Sequence, residues 1–348
     1  MDNKIDILSL YPEEIEELMG RLGEPKYRAM QIFAFLSKGA SLDEMTNISK
    51  KLRERLSQIC EMRLPKVEEK LVSKIDGTVK YLFSLIDGEC VESVLMRYNH
   101  GNTLCVSSQV GCRMGCRFCA STIGGRVRDL TASEILGQII AAERDTGERV
   151  SNVVMMGIGE PLDNFDNTVR FLRLVNHEKG SNIGYRHISL STCGVVDGIY
   201  RLAELEFPIT LSISLHASND EKRSEIMPVN NKWGINDLLT ACVDYYAKTG
   251  RRISFEYTLI SGKNDTPEDA RELASLLRNA FAESDAPVHV NLIRVNEVSE
   301  TGFSRGSRES VDRFADILNR MGVTATVRRR LGADVNAACG QLRRAKRQ

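Results

Sequence analysis

The chain has 348 residues, 42% of them hydrophobic and 27% charged, and its formal net charge is zero. These are the proportions of a globular protein with room for one large domain and a small one. No run approaches the ~18 consecutive apolar residues of a membrane span, the first residues lack the basic and apolar regions of a secretory signal, and a neutral balance does not by itself favour a nucleic-acid partner. A cytoplasmic chain with no membrane partner is expected.

Residues 11–62 carry apolar side chains at three- and four-residue spacing and read as helices over 11–22 and 26–39. A third helix begins near 50, with Asn47 or Ser49 as its cap. Residues 79–86 and 91–98 read as strands about the turn signal Asp87-Gly88. An accessory domain is therefore expected over 1–95, and a second domain over 96–348.

Beyond residue 100, short apolar runs alternate with helical periods. Strands are expected at 103–108, 152–157, 187–192, 209–215, 253–260, 288–293 and 324–329. Thr131 with Glu134 forms a capping box, and Thr266-Pro267 opens another helix. A helix over 307–322 ends at Met321-Gly322. Strand–helix alternation repeated about six times predicts a parallel α/β architecture. Both a partial barrel and an open doubly wound sheet fit, and either places its site at the C-terminal ends of the strands.

Nine cysteines in a chain without a secretory signal argue for metal or redox chemistry. Three of them, Cys112, Cys116 and Cys119, fall within eight residues and could wrap one inorganic centre. Structural zinc normally takes four ligands, yet no second close cysteine pair follows and the five histidines are scattered. Buried structural thiols at such intervals, in a loop containing glycine and arginine, are hard to explain by packing. A 4Fe–4S cluster takes four thiolates, so three would leave one iron open.

The Cys-x3-Cys-x2-Cys pattern, with Phe118 before its third cysteine, resembles the radical S-adenosylmethionine (SAM) superfamily. The resemblance implies a partial (βα)6 barrel, with a small N-terminal helical accessory domain and a C-terminal extension. It implies a 4Fe–4S cluster on Cys112, Cys116 and Cys119, whose open iron chelates SAM. Gly159-Glu160, after the strand at 152–157, resembles the superfamily's glycine–glutamate motif for the cofactor's amino group. Ser191, Ser214-Leu215-His216 and Asn296 also fall at strand ends and complete the expected SAM site.

The segments CVSSQVGCRMGCRFCAST, VVMMGIGEPLDN, SISLHASND and AACGQL together resemble the RlmN-type RNA adenine-C2 methyltransferases, and the likeness spans the whole chain. It implies methylation of an adenosine in 23S ribosomal RNA, in the tRNA anticodon loop, or in both. Residues 1–95 would then be an RNA-binding unit. Cys339 would be a covalent methyl carrier, Cys105 the thiol that resolves a transient protein–RNA adduct, and Glu92 the base for the C2 proton. Two SAM molecules would be used per turnover, with flavodoxin or ferredoxin as electron donor and a monomer as the working unit. Pro161 matches the C2 branch, whereas Arg294 stands where the related C8 methyltransferases are more similar. C8 methylation is therefore the alternative product, and a metal-stabilised RNA-binding protein without catalysis is the alternative class.

Arg113, Arg117, Arg126 and Arg128 flank the cysteine loop, and Arg328, Arg329, Arg330, Arg343, Arg344, Lys346 and Arg347 crowd the C-terminus. Both groups could meet phosphates. With 6% aromatic residues and one tryptophan, Trp233, base stacking on a platform is not expected. Cys60, Cys90, Cys193 and Cys242 are expected to pack as small apolar residues.

Overall fold

The structure is a computed structural model, and it describes residues 4–296 and 302–335. Its first elements are β1 (Ile5–Asp6), α1 (Pro12–Arg21), α2 (Tyr27–Leu36), α3 (Lys50–Ile59) and β2 (Cys60–Glu61). Ser49 caps α3 by accepting the Leu52 N–H. The helices bury Ile15, Met19, Ile32, Leu52 and Leu56 against one another, each stabilising by roughly 1.5–3 kcal/mol relative to exposure. This unit is fastened to the rest by polar ties: Glu14 pairs with Arg170 at 2.6 Å, and the Ser133 N–H donates to Ser9 Oγ at 3.1 Å.

An antiparallel meander follows: β3 (Lys66–Val72), β4 (Val79–Ser84), β5 (Cys90–Tyr98) and β6 (Gly101–Cys105). A small hairpin, β7 (Gln109–Gly111) with β8 (Arg126–Asp129), carries the cysteine loop between its strands. Strands and helices then alternate: α4 (Ala132–Thr146), β9 (Val150–Met155), α5 (Phe165–Asn176), β10 (Ile188–Thr192), α6 (Val196–Ala203), β11 (Thr210–Ser214), α7 (Asp220–Ile226), α8 (Ile235–Thr249), β12 (Ile253–Leu259), α9 (Pro267–Ala280), β13 (Val288–Arg294), α10 (Arg308–Arg320) and β14 (Thr324–Val327). The predicted capping box opens α4, and the predicted Thr266-Pro267 start opens α9, where Asp269 completes a capping box that the sequence reading did not name.

One ten-stranded sheet runs β14-β13-β12-β11-β10-β9-β6-β5-β4-β3. From β6 to β14 every neighbour is parallel and the order follows the chain. A doubly wound sheet would reverse its order at a switch point, so the partial barrel is the architecture present. The expected boundary at residue 95 falls inside β5, and the meander shares the barrel's sheet.

Period-two alternation sets what faces inward. On β12, Phe255 and Tyr257 turn outward to Phe281 and Phe314, with ring centroids at 5.9 and 5.2 Å. Ser254, Glu256 and Thr258 turn the other way, as do Ser189 and Ser212, whose hydroxyls meet at 3.0 Å. The barrel therefore has an apolar seam under its helices and a polar interior. No helix among the described residues is long and apolar enough to cross a membrane.

Candidate active site

The polar interior opens at the C-terminal strand ends into a cavity of 540 Å³. Cys112, Cys116 and Cys119 all line it. Their loop is pinned by the Cys112 N–H to Gly125 O at 3.2 Å and the Arg117 N–H to Ile226 O at 2.9 Å. Cys112 and Cys116 are buried and Cys119 is half-buried. Burial, reinforced by the nearby Glu160 and Cys119 charges, pushes the Cys112 thiol up to about 12. Burial also raises Cys116. Free thiols so placed are protonated and inert, and bound metal would supply the charge that ionises them. Among the described residues no three His, Cys, Asp or Glu groups converge for a single ion. A multi-iron cluster needs no such convergence, because each thiolate takes a different iron. The donor set fits a three-thiolate 4Fe–4S cluster with one open iron.

The turn after β9 forms the next wall. Gly159 has φ +107°, and a Cβ there would lie 2.6 Å from Gln109 Cβ, so only glycine fits. Glu160 is 3% exposed. Its Oε2 accepts the Cys193 N–H at 2.8 Å and its Oε1 the Leu162 N–H at 3.0 Å. Burial raises its pKa, so a ligand cation would stabilise the ionised form.

Ser191 on β10, Ser214 on β11, His216 beyond it and Asn296 beyond β13 line the same cavity. Leu215 does not; its side chain is fully buried in the core, and its N–H donates to Glu256 O at 3.1 Å. Nine of the ten residues expected to hold the cluster or SAM thus line one cavity, and Leu215 is the exception. His216 has φ +58°, and its Nδ1 accepts the Thr258 N–H at 2.9 Å, which leaves the proton on Nε2 of a neutral ring. Phe118 packs on it edge-on at 4.9 Å, tying the cysteine loop to the β11 end.

Cys105 ends β6 and also lines the cavity, opposite Val94 in register. Val94, Met96 and Tyr98 reach the cavity from β5. Glu92 lies on that same face, one alternation deeper, buried and paired with the buried Lys80 at 3.1 Å. It stands behind the wall rather than in it. Cys339 lies outside the described residues, as do Arg343, Arg344, Lys346 and Arg347. The segment leading towards Cys339 is described up to residue 335, and Arg328 to Gly332 line the cavity. It is moored to the β3–β4 turn: Ser73 Oγ and the Lys74 N–H donate to Asp334 at 2.6 and 2.8 Å. In return the Gly332 N–H donates to Asp76 at 2.9 Å.

The structure revises two expectations from the sequence. Three of the arginines around the cysteine loop are engaged within the protein. Arg113 pairs with Asp163, Arg126 with Asp129, and Arg128 with Asp87 and Glu134. They brace the hairpin, so a phosphate would have to compete with carboxylates already in place. Cys60, Cys90 and Cys242 are buried, but Cys193 lines the cavity as well as packing beside Cys116. Glu256 was not singled out by the sequence either. It is 4% exposed, lines the cavity, and accepts from Asn291 Nδ2 at 2.7 Å. The single acid in β12, ISFEYTL, was the available signal.

Residues 106–277 match the model of the Radical SAM superfamily, and residues 5–62 that of the ribosomal RNA large subunit methyltransferase N-terminal domain. A probable dual-specificity RNA methyltransferase RlmN from Alkaliphilus oremlandii is 54% identical over 98% of each chain. A protein of the same description from Clostridium botulinum (strain Eklund 17B) is 52% identical, over 97% of this chain and 96% of that one. Among solved structures, a radical SAM methyltransferase from Sphaerobacter thermophilus superposes with a TM-score of 0.91 at 42% identity, covering 97% of this chain and 98% of that one. With such identity along nearly the full length, and with three thiols and the glycine–glutamate turn around one cavity, the chain belongs to the RlmN family of radical SAM RNA methyltransferases.

Proposed function

We propose that this enzyme methylates C2 of adenine in 23S ribosomal RNA, in the tRNA anticodon loop, or in both, with Cys339 as carrier. C2 is an aromatic C–H carbon that does not attack a sulfonium methyl group, whereas a thiolate does. Cys339 takes a methyl group from one SAM. When bound, the cluster of Cys112, Cys116 and Cys119 supplies the electron that splits a second SAM into methionine and a 5′-deoxyadenosyl radical.

Glu160, Ser191, Ser214, His216 and Asn296 would hold that SAM, with the backbone of Leu215 between them. A hydrogen atom of the Cys339 methyl would pass to the 5′-deoxyadenosyl radical, giving 5′-deoxyadenosine, and the methylene left on sulfur would add to C2, joining protein and RNA. One electron would pass back to the oxidised cluster as Glu92 takes the C2 proton. Cys105 would then attack the Cys339 sulfur: the S–S bond forms as the S–CH2 bond breaks, the methylene keeps that electron pair and takes up a proton to become the methyl group, and a cellular thiol reductant would return the disulfide to two thiols. Flavodoxin or ferredoxin is the proposed reductant, a cytoplasmic monomer the proposed working form, and a target base turned out of its stack the proposed substrate geometry.

One observation supports this cycle above the others: Cys105, the cluster cysteines and the segment Arg328–Gly332, which leads to Cys339, open on the same cavity. Cys339 is five positions beyond Asp334, a reach of about 17 Å when extended. The N-terminal helices and Arg328–Arg330 are the proposed RNA contacts. Arg294, which also lines the cavity, keeps C8 as the second reading. Nucleosides from RNA of cells with and without the gene, separated by liquid chromatography and mass spectrometry, decide between them. Loss of 2-methyladenosine is the expected result. Loss of 8-methyladenosine would move the product to C8, and no change in methylated adenosine would overturn the proposal.

A further inference from the structure

The bulkiest fully buried side chain is a cation. Arg223, on α7, is 0% exposed. Its Nε donates to Leu215 O at 3.1 Å, its Nη1 to Asn230 Oδ1 at 2.8 Å, and its Nη2 to Cys193 O at 2.7 Å and Ser214 O at 3.3 Å. All four acceptors are neutral. Asp220 makes no direct hydrogen bond to it; Asn230, whose Nδ2 donates to Asp220 Oδ1 at 2.9 Å, stands between them, and the Asp220 charge acts on the guanidinium through space. Among the described residues no carboxylate forms an ion pair with Arg223.

A buried charge is costly unless an opposite charge offsets it, and a guanidinium does not escape by deprotonating. The surroundings point to one direction for the missing anion. Cys193, whose carbonyl takes Nη2, packs in one cluster with Cys116, Ile226 and Met227. The Arg117 N–H to Ile226 O bond joins the cysteine loop to the end of the helix that carries Arg223. A Cβ on Gly194 would stand 3.1 Å from Nη2, so glycine clears the space the guanidinium needs. Burial disfavours the charged form of Arg223, and negative charge at Cys193, Cys116 or Asp220 would favour it.

Three thiolates outweigh the charge of a 4Fe–4S core, so the loaded site is anionic and becomes more so on reduction. We propose that Arg223 is the fixed counter-charge of the cluster, set behind the Cys116 wall to favour cluster occupancy and to raise the reduction potential. It is a positioning residue: it acts on the cluster across the Cys193 turn and touches no substrate. This rests on the three-cysteine cluster and on no step of the methyl-transfer cycle.

The test uses full-length protein reconstituted anaerobically with iron and sulfide, comparing wild type with R223K and R223Q. The readouts are iron per chain, the midpoint potential from an electron-paramagnetic-resonance titration, and the gain in Tm on cluster loading. R223Q is expected to shift the potential negative and to lose most of that gain. R223K, which keeps the charge with fewer hydrogen bonds, should keep a near-wild-type potential while the apo protein loses stability. Should R223Q not fold, N230D serves, because it brings a carboxylate to Nη1 and leaves the guanidinium in place; the same negative shift is expected. An unchanged potential in R223Q or N230D overturns the proposal, as do equal shifts in R223K and R223Q. Weaker SAM binding at constant potential would make Arg223 a SAM ligand and also overturn it. A wild-type chain that takes up no iron would remove the cluster itself, a failure distinguishable from the others.

Discussion

Cys193 donates its backbone N–H to Glu160 at 2.8 Å, so the turn after β10 holds the carboxylate delivered by the turn after β9. The residue proposed to receive the SAM ammonium is thus fixed before any ligand arrives. Glu160→Gln keeps the size and one acceptor but removes the charge. Losing a charged hydrogen bond of about 1.5–3 kcal/mol corresponds to about 10–100-fold weaker SAM binding. Equilibrium dialysis on cluster-loaded protein checks this, with iron content equal to wild type. Unaltered affinity would exclude Glu160 from the ammonium site.

Lys80 and Glu92 form a fully buried ion pair on the face of β4 and β5 that leads to the cavity. Breaking such a pair from one side leaves an orphan charge and costs about 3–5 kcal/mol. Lys80→Met should lower the unfolding free energy by that order in urea titration. Lys80→Met/Glu92→Leu should recover most of it. Glu92→Gln should instead slow release of the RNA adduct, seen as a nuclease-sensitive band on denaturing gels; release at the wild-type rate would assign the proton to another base.

Burial, with the Arg223 charge beside it, pulls the His216 pKa from 6.5 to about 3. The folded chain therefore binds this proton less readily than the unfolded chain. The stabilisation from neutral His216 is complete above pH 6.5 and is lost as pH falls from there towards 3, by up to about 1.4 kcal/mol per pH unit. His216→Asn suits the positive φ and can still accept the Thr258 N–H. Its apo protein should show a shallower fall in Tm across that window. Parallel curves for the two proteins would show that other groups carry the acid sensitivity.

Asp334 accepts from Ser73 and Lys74 and so moors the chain five residues before Cys339. Asp334→Ala should leave Tm nearly unchanged, since the group is exposed. It should speed amide hydrogen exchange at Lys74 and lower the fraction of Cys339 that carries methyl after incubation with SAM several-fold. Peptide mass spectrometry reads both. Full methylation of the variant would mean that the mooring has no part in carrier delivery.

The sequence by itself determined whatever depends on neighbours along the chain. Thr131 with Glu134 marks a helix start because a cap bond spans three residues. Cys112, Cys116 and Cys119 mark an inorganic centre because one loop can wrap one. The alternation on β12 encodes an apolar outside and a polar inside. Only the tertiary structure decided relations that cross the sheet. Arg223 lies in a short helix rich in charge, DEKRSEI; the closing of β10 and β11 over it leaves it, like Lys80, a fully buried cation. Arg113, Arg126 and Arg128 look free for phosphate until Asp163, Asp129, Asp87 and Glu134 are brought to them by the fold. Residues 66–95 look like part of an accessory unit, yet backbone pairing of β5 with β6 joins them to the barrel. Spacing fixes which side chains share a face, but a charge's partner is set by topology, because Coulomb attraction and burial act through space and not along the chain.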